Sequence, residues 1–144
     1  MQLTIPPFPK KENQNIFIRD PVRKKIIKAT PEEWVRQHII TYLHNQLGYP
    51  YSLMSIERAM KVNQLYKRTD IVVYHNGNPY ILIECKAQNH KINSVAWIQT
   101  FIYQSKLSAN FFMLSNGNEH HIYKIHEHKI LMKIDELPYY KEIL

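Results

Sequence analysis

Apolar residues at Trp34, Val35, Ile39, Tyr42, Leu43 and Leu47 recur at the spacing of one helical face. The start of that helix is signalled as well. Thr30 suits the N-cap, Pro31 the first helical position, and Glu33 completes a capping-box pattern three residues after the threonine. Gly48 suits the terminator. The period then shortens. In "SLMSIERAMKV", Met54, Ile56 and Arg58 alternate with Ser55, Glu57 and Ala59, which predicts a strand over about 53–63. Ile71–Tyr74 and Tyr80–Cys85 are β-rich runs joined by "HNGNP", an Asn-Gly hairpin signal.

From Ser94 to Leu107 the helical period returns, with Val95, Ile98, Ile102 and Phe101 on one face and Asn93 or Ser94 as cap. "NFFMLSNGNEHHIYKI" reads as strand, turn at Asn116-Gly117, and strand; "KILMKI" (129–134) offers a last strand, and the tail a short helix. A hairpin followed by a helix and another strand demands a crossover, and a crossover helix returns a parallel strand. The fold class is therefore α/β, a mixed β-sheet flanked by helices, in one domain over 1–144. Residues 1–15, rich in proline and polar residues, form an extended arm, and "NIFIRDP" (15–21) a short strand that Pro21 stops. The aromatic tail "PYYKEIL" either covers the core or pairs with a second copy.

Composition narrows the function classes. At 144 residues, with 44% hydrophobic and 22% charged, the chain can bury roughly two-thirds of its unfolded surface. Nineteen Lys and Arg against twelve Asp and Glu leave a formal charge of +7, which suits a polyanionic partner. One cysteine excludes an intramolecular disulfide and Cys-rich zinc frameworks. Three glycines cannot build a GxGxxG or P-loop phosphate cradle. No apolar run is long enough to span a bilayer and the N-terminus has no cleavable apolar core, so the expected location is cytoplasmic. Arg23, Lys24, Lys25 and Lys28 cluster before the first helix, as a solvated loop or strand or as phosphate contacts.

The chemistry concentrates where the strand "YILIEC" ends. Strand alternation puts Glu84 and Lys86 on one face and Cys85 on the other. Pairing about the hairpin turn sets Asp70, at the start of the preceding strand, beside Glu84 or Lys86. Two carboxylates and an ammonium at one sheet end form a hard-cation site for Mg²⁺, to which the backbone carbonyl of Cys85 could add an oxygen. A lysine beside two carboxylates stays protonated unless burial opposes it, which favours an electrostatic and orienting role. The plain structural alternative is a cross-strand ion pair, worth well under ~1 kcal/mol when exposed. Glu33 has a rival role as capping-box acid, and Cys85 reads as a small core residue. Eight histidines invite a zinc reading, but His120 and His121 face opposite ways on a strand, and His126 with His128 would supply only two ligands. Phe111 and Phe112 read as sheet interior.

"TD" at 69–70, thirteen intervening residues and "ECK" at 84–86 resemble the PD-(D/E)xK pattern of restriction-endonuclease-like nucleases. "TPEEWVRQHIITYLHNQLGYP", the hairpin, "WIQTFIYQ" and "FFMLSNGNEHHIYKI" follow in the order of the N-terminal nuclease domain of type I restriction enzyme R subunits, closest to its short, standalone version. The resemblance covers roughly residues 20–126. It implies a restriction-endonuclease-like core and a Mg²⁺- or Mn²⁺-dependent nuclease that hydrolyses phosphodiester bonds in DNA. It further implies metal ligation by Asp70 and Glu84, Lys86 as catalytic lysine, and Glu33 as a helical acid supporting the metal site directly or through water. Gln99 would complete the site, unless it is simply an exposed helical glutamine, and Tyr103 and Gln104 would position. Thr69 stands where many such nucleases have proline, and the 144 residues hold no P-loop of a helicase motor. The implied partners are DNA and a homodimer or larger restriction or defence assembly. A non-catalytic nucleic-acid-binding or assembly module that keeps the fold is the alternative.

Overall fold

The computed structural model describes residues 1–9, 15–62, 65–92, 98, 102 and 108–144. Strands β1 (Phe17–Asp20) and β2 (Lys25–Lys28) form an antiparallel ribbon ahead of helix α1 (Pro31–Asn45). A 3₁₀ turn over Tyr51–Leu53 leads into β3 (Met54–Val62), β4 (Leu65–His75) and β5 (Asn78–Cys85). After the crossover come β6 (Phe111–Ser115), β7 (His120–Ile125), β8 (Leu131–Ile134) and a short helix α2 (Tyr140–Ile143). Strands β3 to β8 lie in sequence order in one sheet, antiparallel throughout except for the parallel β5–β6 step. The fold is α/β with a mixed sheet, consistent with a restriction-endonuclease-like core.

The central strands are buried on both faces, and their alternation sorts the core into two layers. Ile71, Val73, Ile81, Ile83, Cys85 and Met113 pack with Val35, Ile39, Ile40 and Leu43 of α1. Val72, Leu82, Phe112, Leu114 and Tyr123 pack on the other side, against Ile98 and Ile102 of the crossover. Ile98 and Ile102 are helical and buried, one helical turn apart as the 94–107 pattern predicts. A one-residue slip of β5 would exchange Ile81 and Ile83 for Leu82 and Glu84 on the α1 side, so burial pins the register. That register, Ile71 opposite Ile83, determines where Asp70 meets Glu84.

Local signals explain the turns. Asn76 (φ 51°) and Gly77 (φ 77°) both take the left-handed conformation of a primed two-residue hairpin turn. Gly117 (φ 87°) is needed twice over, since a Cβ there would meet Gln88 Cγ at 3.2 Å and Val35 Cγ2 at 3.3 Å.

One boundary shifts, and three further segments find their places. Strand β4 begins at Leu65 rather than near Asp70, because its ribbon with β3 runs out to the Val62–Leu65 pair. The 1–15 arm is docked over its described part. Ile5 is buried, Trp34 Nε1 donates to Pro6 O at 2.8 Å, and the Met1 ammonium donates to Asp135 O at 2.9 Å. Strand β7 ends at Ile125, where its pattern ends, and His126 and His128 follow at the 3₁₀ turn over Glu127–Lys129. The tail covers the core: Tyr49 hydroxyl donates to Pro138 O, and the Tyr49 and Tyr140 rings sit 5.4 Å apart.

Candidate active site

The site begins with strand geometry. Extending the Ile71–Ile83 pairing by one step puts Asp70 opposite Glu84, where the two strands separate. The Cys85 amide donates to Asp70 Oδ2 at 2.7 Å, which turns the aspartate toward the end of β5. Lys86 lies one residue past that strand, tied to β6 by its amide bond to Ser115 O, with its Nζ 3.5 Å from Glu84 Oε1. The structure thus brings Asp70, Glu84 and Lys86 to one corner. Cys85 points the other way into the α1 layer, as expected. Burial, and then the Asp70 charge, push its thiol up, so the sulfur is poorly suited to be a nucleophile.

Electrostatics distinguish this corner from an exposed ion pair. Burial comes first and the Asp70 carboxylate second in pushing Glu84 up to about 8, against the lowering influence of Lys86. The two carboxylates interact directly, with Lys86 beside Glu84 and Arg36 beside Asp70. Among the described residues no three His, Cys, Asp or Glu side chains converge as a closed cage would. Two carboxylates are nevertheless a donor set that Mg²⁺ accepts, because it usually keeps several of its waters. The residues present fit the ion.

The α1 side of the corner carries what sequence reasoning missed. Arg36, on the inner face of α1, donates from Nη2 to Asp70 Oδ1 at 2.9 Å and from Nη1 to Glu33 Oε2 at 2.9 Å. Glu33 Oε1 accepts from Arg23 Nη2 at 2.7 Å and from Gln37 at 3.1 Å. Arg23 Nε and Gln37 Nε2 also reach Asp20 Oδ2, at 2.6 and 3.0 Å. Burial works to raise Asp20, but bonds from Arg23, Val22 and Gln37 prevail and hold its carboxyl below the usual range. The visible signal was the Glu33, Arg36, Gln37 spacing, which places three polar groups on adjacent turns of one helix.

Two candidate residues gain partners that the sequence did not show. The Thr30 hydroxyl accepts from the Glu33 amide as an N-cap should, yet the Glu33 carboxylate turns to Arg23, Arg36 and Gln37 and reaches Asp70 through Arg36. Arg23, expected among the phosphate contacts, bridges Asp20 and Glu33, because its turn position aims it at the start of α1. Lys24, Lys25 and Lys28 are exposed. Gln99, Tyr103 and Gln104 lie outside the described residues.

The family described as the type I restriction enzyme R protein N terminus matches residues 31–138. The chain belongs to that family. The match spans α1, the β3–β5 strands with Asp70, Glu84 and Lys86, and the sheet through β8. No curated protein matches the chain. Membership in the restriction R N-terminal family connects the chain to restriction-modification, and no described helix is long and apolar enough to cross a membrane.

Proposed function

We propose that this restriction R N-terminal domain is a Mg²⁺-dependent nuclease, with Mn²⁺ able to substitute, that hydrolyses phosphodiester bonds in DNA within a cytoplasmic restriction assembly. The observation that carries the reading is the half-buried Asp70–Glu84 pair, whose influence on Glu84 is offset only in part by Lys86. Asp70 and Glu84 would hold the ion, with the Cys85 carbonyl as a further oxygen. When bound, the ion lowers the pKa of water and offsets charge at phosphorus.

The chain's own groups prepare that chemistry. Arg36 and the Cys85 amide each engage one Asp70 oxygen and so determine the rotation of its carboxylate. Glu33 orients Arg36 and acts on the site through it. Lys86 brings a cation beside Glu84, where it can orient the attacking water or stabilise charge gathering on the phosphate. Gln99 would complete the site from the crossover.

Calorimetric titration with Mg²⁺ and Mn²⁺, together with nicking of supercoiled plasmid, tests the proposal. Metal uptake and cleavage that Asp70→Ala abolishes, with the circular-dichroism spectrum unchanged, are expected. DNA binding with no metal uptake and no cleavage would overturn it in favour of a non-catalytic module.

A further inference from the structure

We infer that the exposed face of the β1–β2 ribbon is a duplex-DNA-binding surface that delivers the strand to the carboxylate corner; the choice of DNA as partner rests on the nuclease reading. In the ribbon register Phe17 pairs with Lys28 and Arg19 with Ile26, and all four side chains are exposed. Phe17 is 62% and Ile26 69% exposed, unusual for large apolar side chains in a paired sheet. Each apolar group stands across from a cation, so the face is a chequerboard of two hydrophobes and two bases. Lys24 and Lys25 add positive charge at the turn end.

Between residues 17 and 28 the sole acid is Asp20. It is fully buried and bonded to Arg23, Gln37 and the Val22 amide. The exposed face therefore carries positive charge alone, which complements a polyanion and opposes stacking on a second copy. A two-stranded ribbon fits the major groove, where Arg19 and Lys28 can meet phosphates while Phe17 and Ile26 contact sugars and base edges. Geometry also links the ribbon to the site. Its turn is riveted to α1 by the Arg23 bonds to Asp20 and Glu33, and Arg36 continues from Glu33 to Asp70. Duplex DNA held on this face would be registered against the carboxylate corner by that chain of ion pairs.

The experiment measures anisotropy of a fluorescein-labelled 20-base-pair duplex on the full chain carrying Asp70→Asn, without divalent metal, across a salt series. Phe17→Ala with Ile26→Ala is expected to weaken binding about tenfold without changing the salt slope. Arg19→Gln with Lys28→Gln is expected to reduce the slope of log affinity against log salt by about 1.8, two phosphate contacts' worth. Unchanged melting temperatures establish that the exposed substitutions leave the fold intact. Parental affinity and slope in both double variants would overturn the inference, as would a Phe17/Ile26 effect confined to self-association in sedimentation. Binding is read without cleavage, so lack of metal-dependent hydrolysis would count only against the nuclease reading.

Discussion

Two clusters of charge lie side by side at the start of α1, and they are built on opposite terms. In the first, Asp20 and Glu33 meet Arg23, Arg36 and Gln37 at 2.6–3.1 Å, with acids and bases in balance. In the second, Asp70 and Glu84 face each other, Arg36 and the Cys85 amide engage Asp70, and Lys86 sits 3.5 Å from Glu84. The balanced cluster holds its Asp20 carboxyl below the usual range, while the other pushes Glu84 up to about 8. A carboxylate pushed up by burial and a like-charged neighbour gains from an added cation, whereas Asp20, already held below the usual range, gains little. The first cluster is architecture and the second has the electrostatics of a binding site.

Substitutions should separate the two. Asp70→Asn keeps an acceptor for Arg36 but removes a ligand charge, so plasmid cleavage should fall on the order of 10³-fold or more with little change in the denaturation midpoint. Lys86→Met should lower cleavage about 100-fold. Its side chain is about one-third exposed, so urea denaturation should register a change within ~1 kcal/mol. Arg36→Met should differ in its cost to the fold. It strands the Glu33 and Asp70 carboxylates in a half-buried setting, and a loss of about 3–5 kcal/mol is expected. Arg36→Met no more destabilised than Lys86→Met would erase the distinction.

Proton linkage offers a subtler measure. In the metal-free protein the folded state holds the Glu84 proton up to about 8, whereas the unfolded carboxyl releases it near 4.5. Between those values the folded state binds more protons, so unfolding free energy declines as pH rises. The contribution is fully present below about 4.5 and is lost as pH passes through about 8, a change on the order of a few kcal/mol. Glu84→Gln should flatten that decline in denaturation series across pH, and Mg²⁺ should flatten it in the parent protein. A parent protein whose stability rises between pH 5 and 8 would contradict a protonated Glu84.

Most of this architecture was legible because it is written locally. The Thr30-Pro31 start, the Asn76-Gly77 turn and the alternation of Ile81 to Glu84 each carry their own short-range cause. The hairpin alone placed Asp70 near the end of β5, but the turn register by itself would set it opposite Ile83; the bulge between Val73 and Tyr74 shifts the pairing by one and brings it opposite Glu84. Arg36 could not be placed that way. Its partner Asp70 is 34 residues away, and a charged residue amid apolar helix positions reads as solvent-facing until tertiary contacts show otherwise. The partners of Arg23 were hidden for a related reason: a cation in a basic run looks available for phosphate, and only the folded turn reveals Asp20 and Glu33 around it. The docking of the N-terminal arm was not legible, because its bonds to Trp34, Gln88 and Asp135 join residues far apart in sequence.

The smallest expected effect probes the boundary between the clusters. The Thr30 hydroxyl accepts from the Glu33 amide at 3.1 Å, so Thr30→Ala should cost about 1 kcal/mol through the lost cap. Glu33 keeps its carboxylate bonds to Arg23, Arg36 and Gln37 in that variant, and those bonds rather than the cap orient Arg36. Cleavage by Thr30→Ala should therefore stay within about twofold of the parent, because a loss of that size spread over the fold leaves the Asp70 geometry intact. A cleavage loss far beyond the stability loss would mean that the first turn of α1 belongs to the site. Glu33 would then move from the balanced network to the metal side of the comparison.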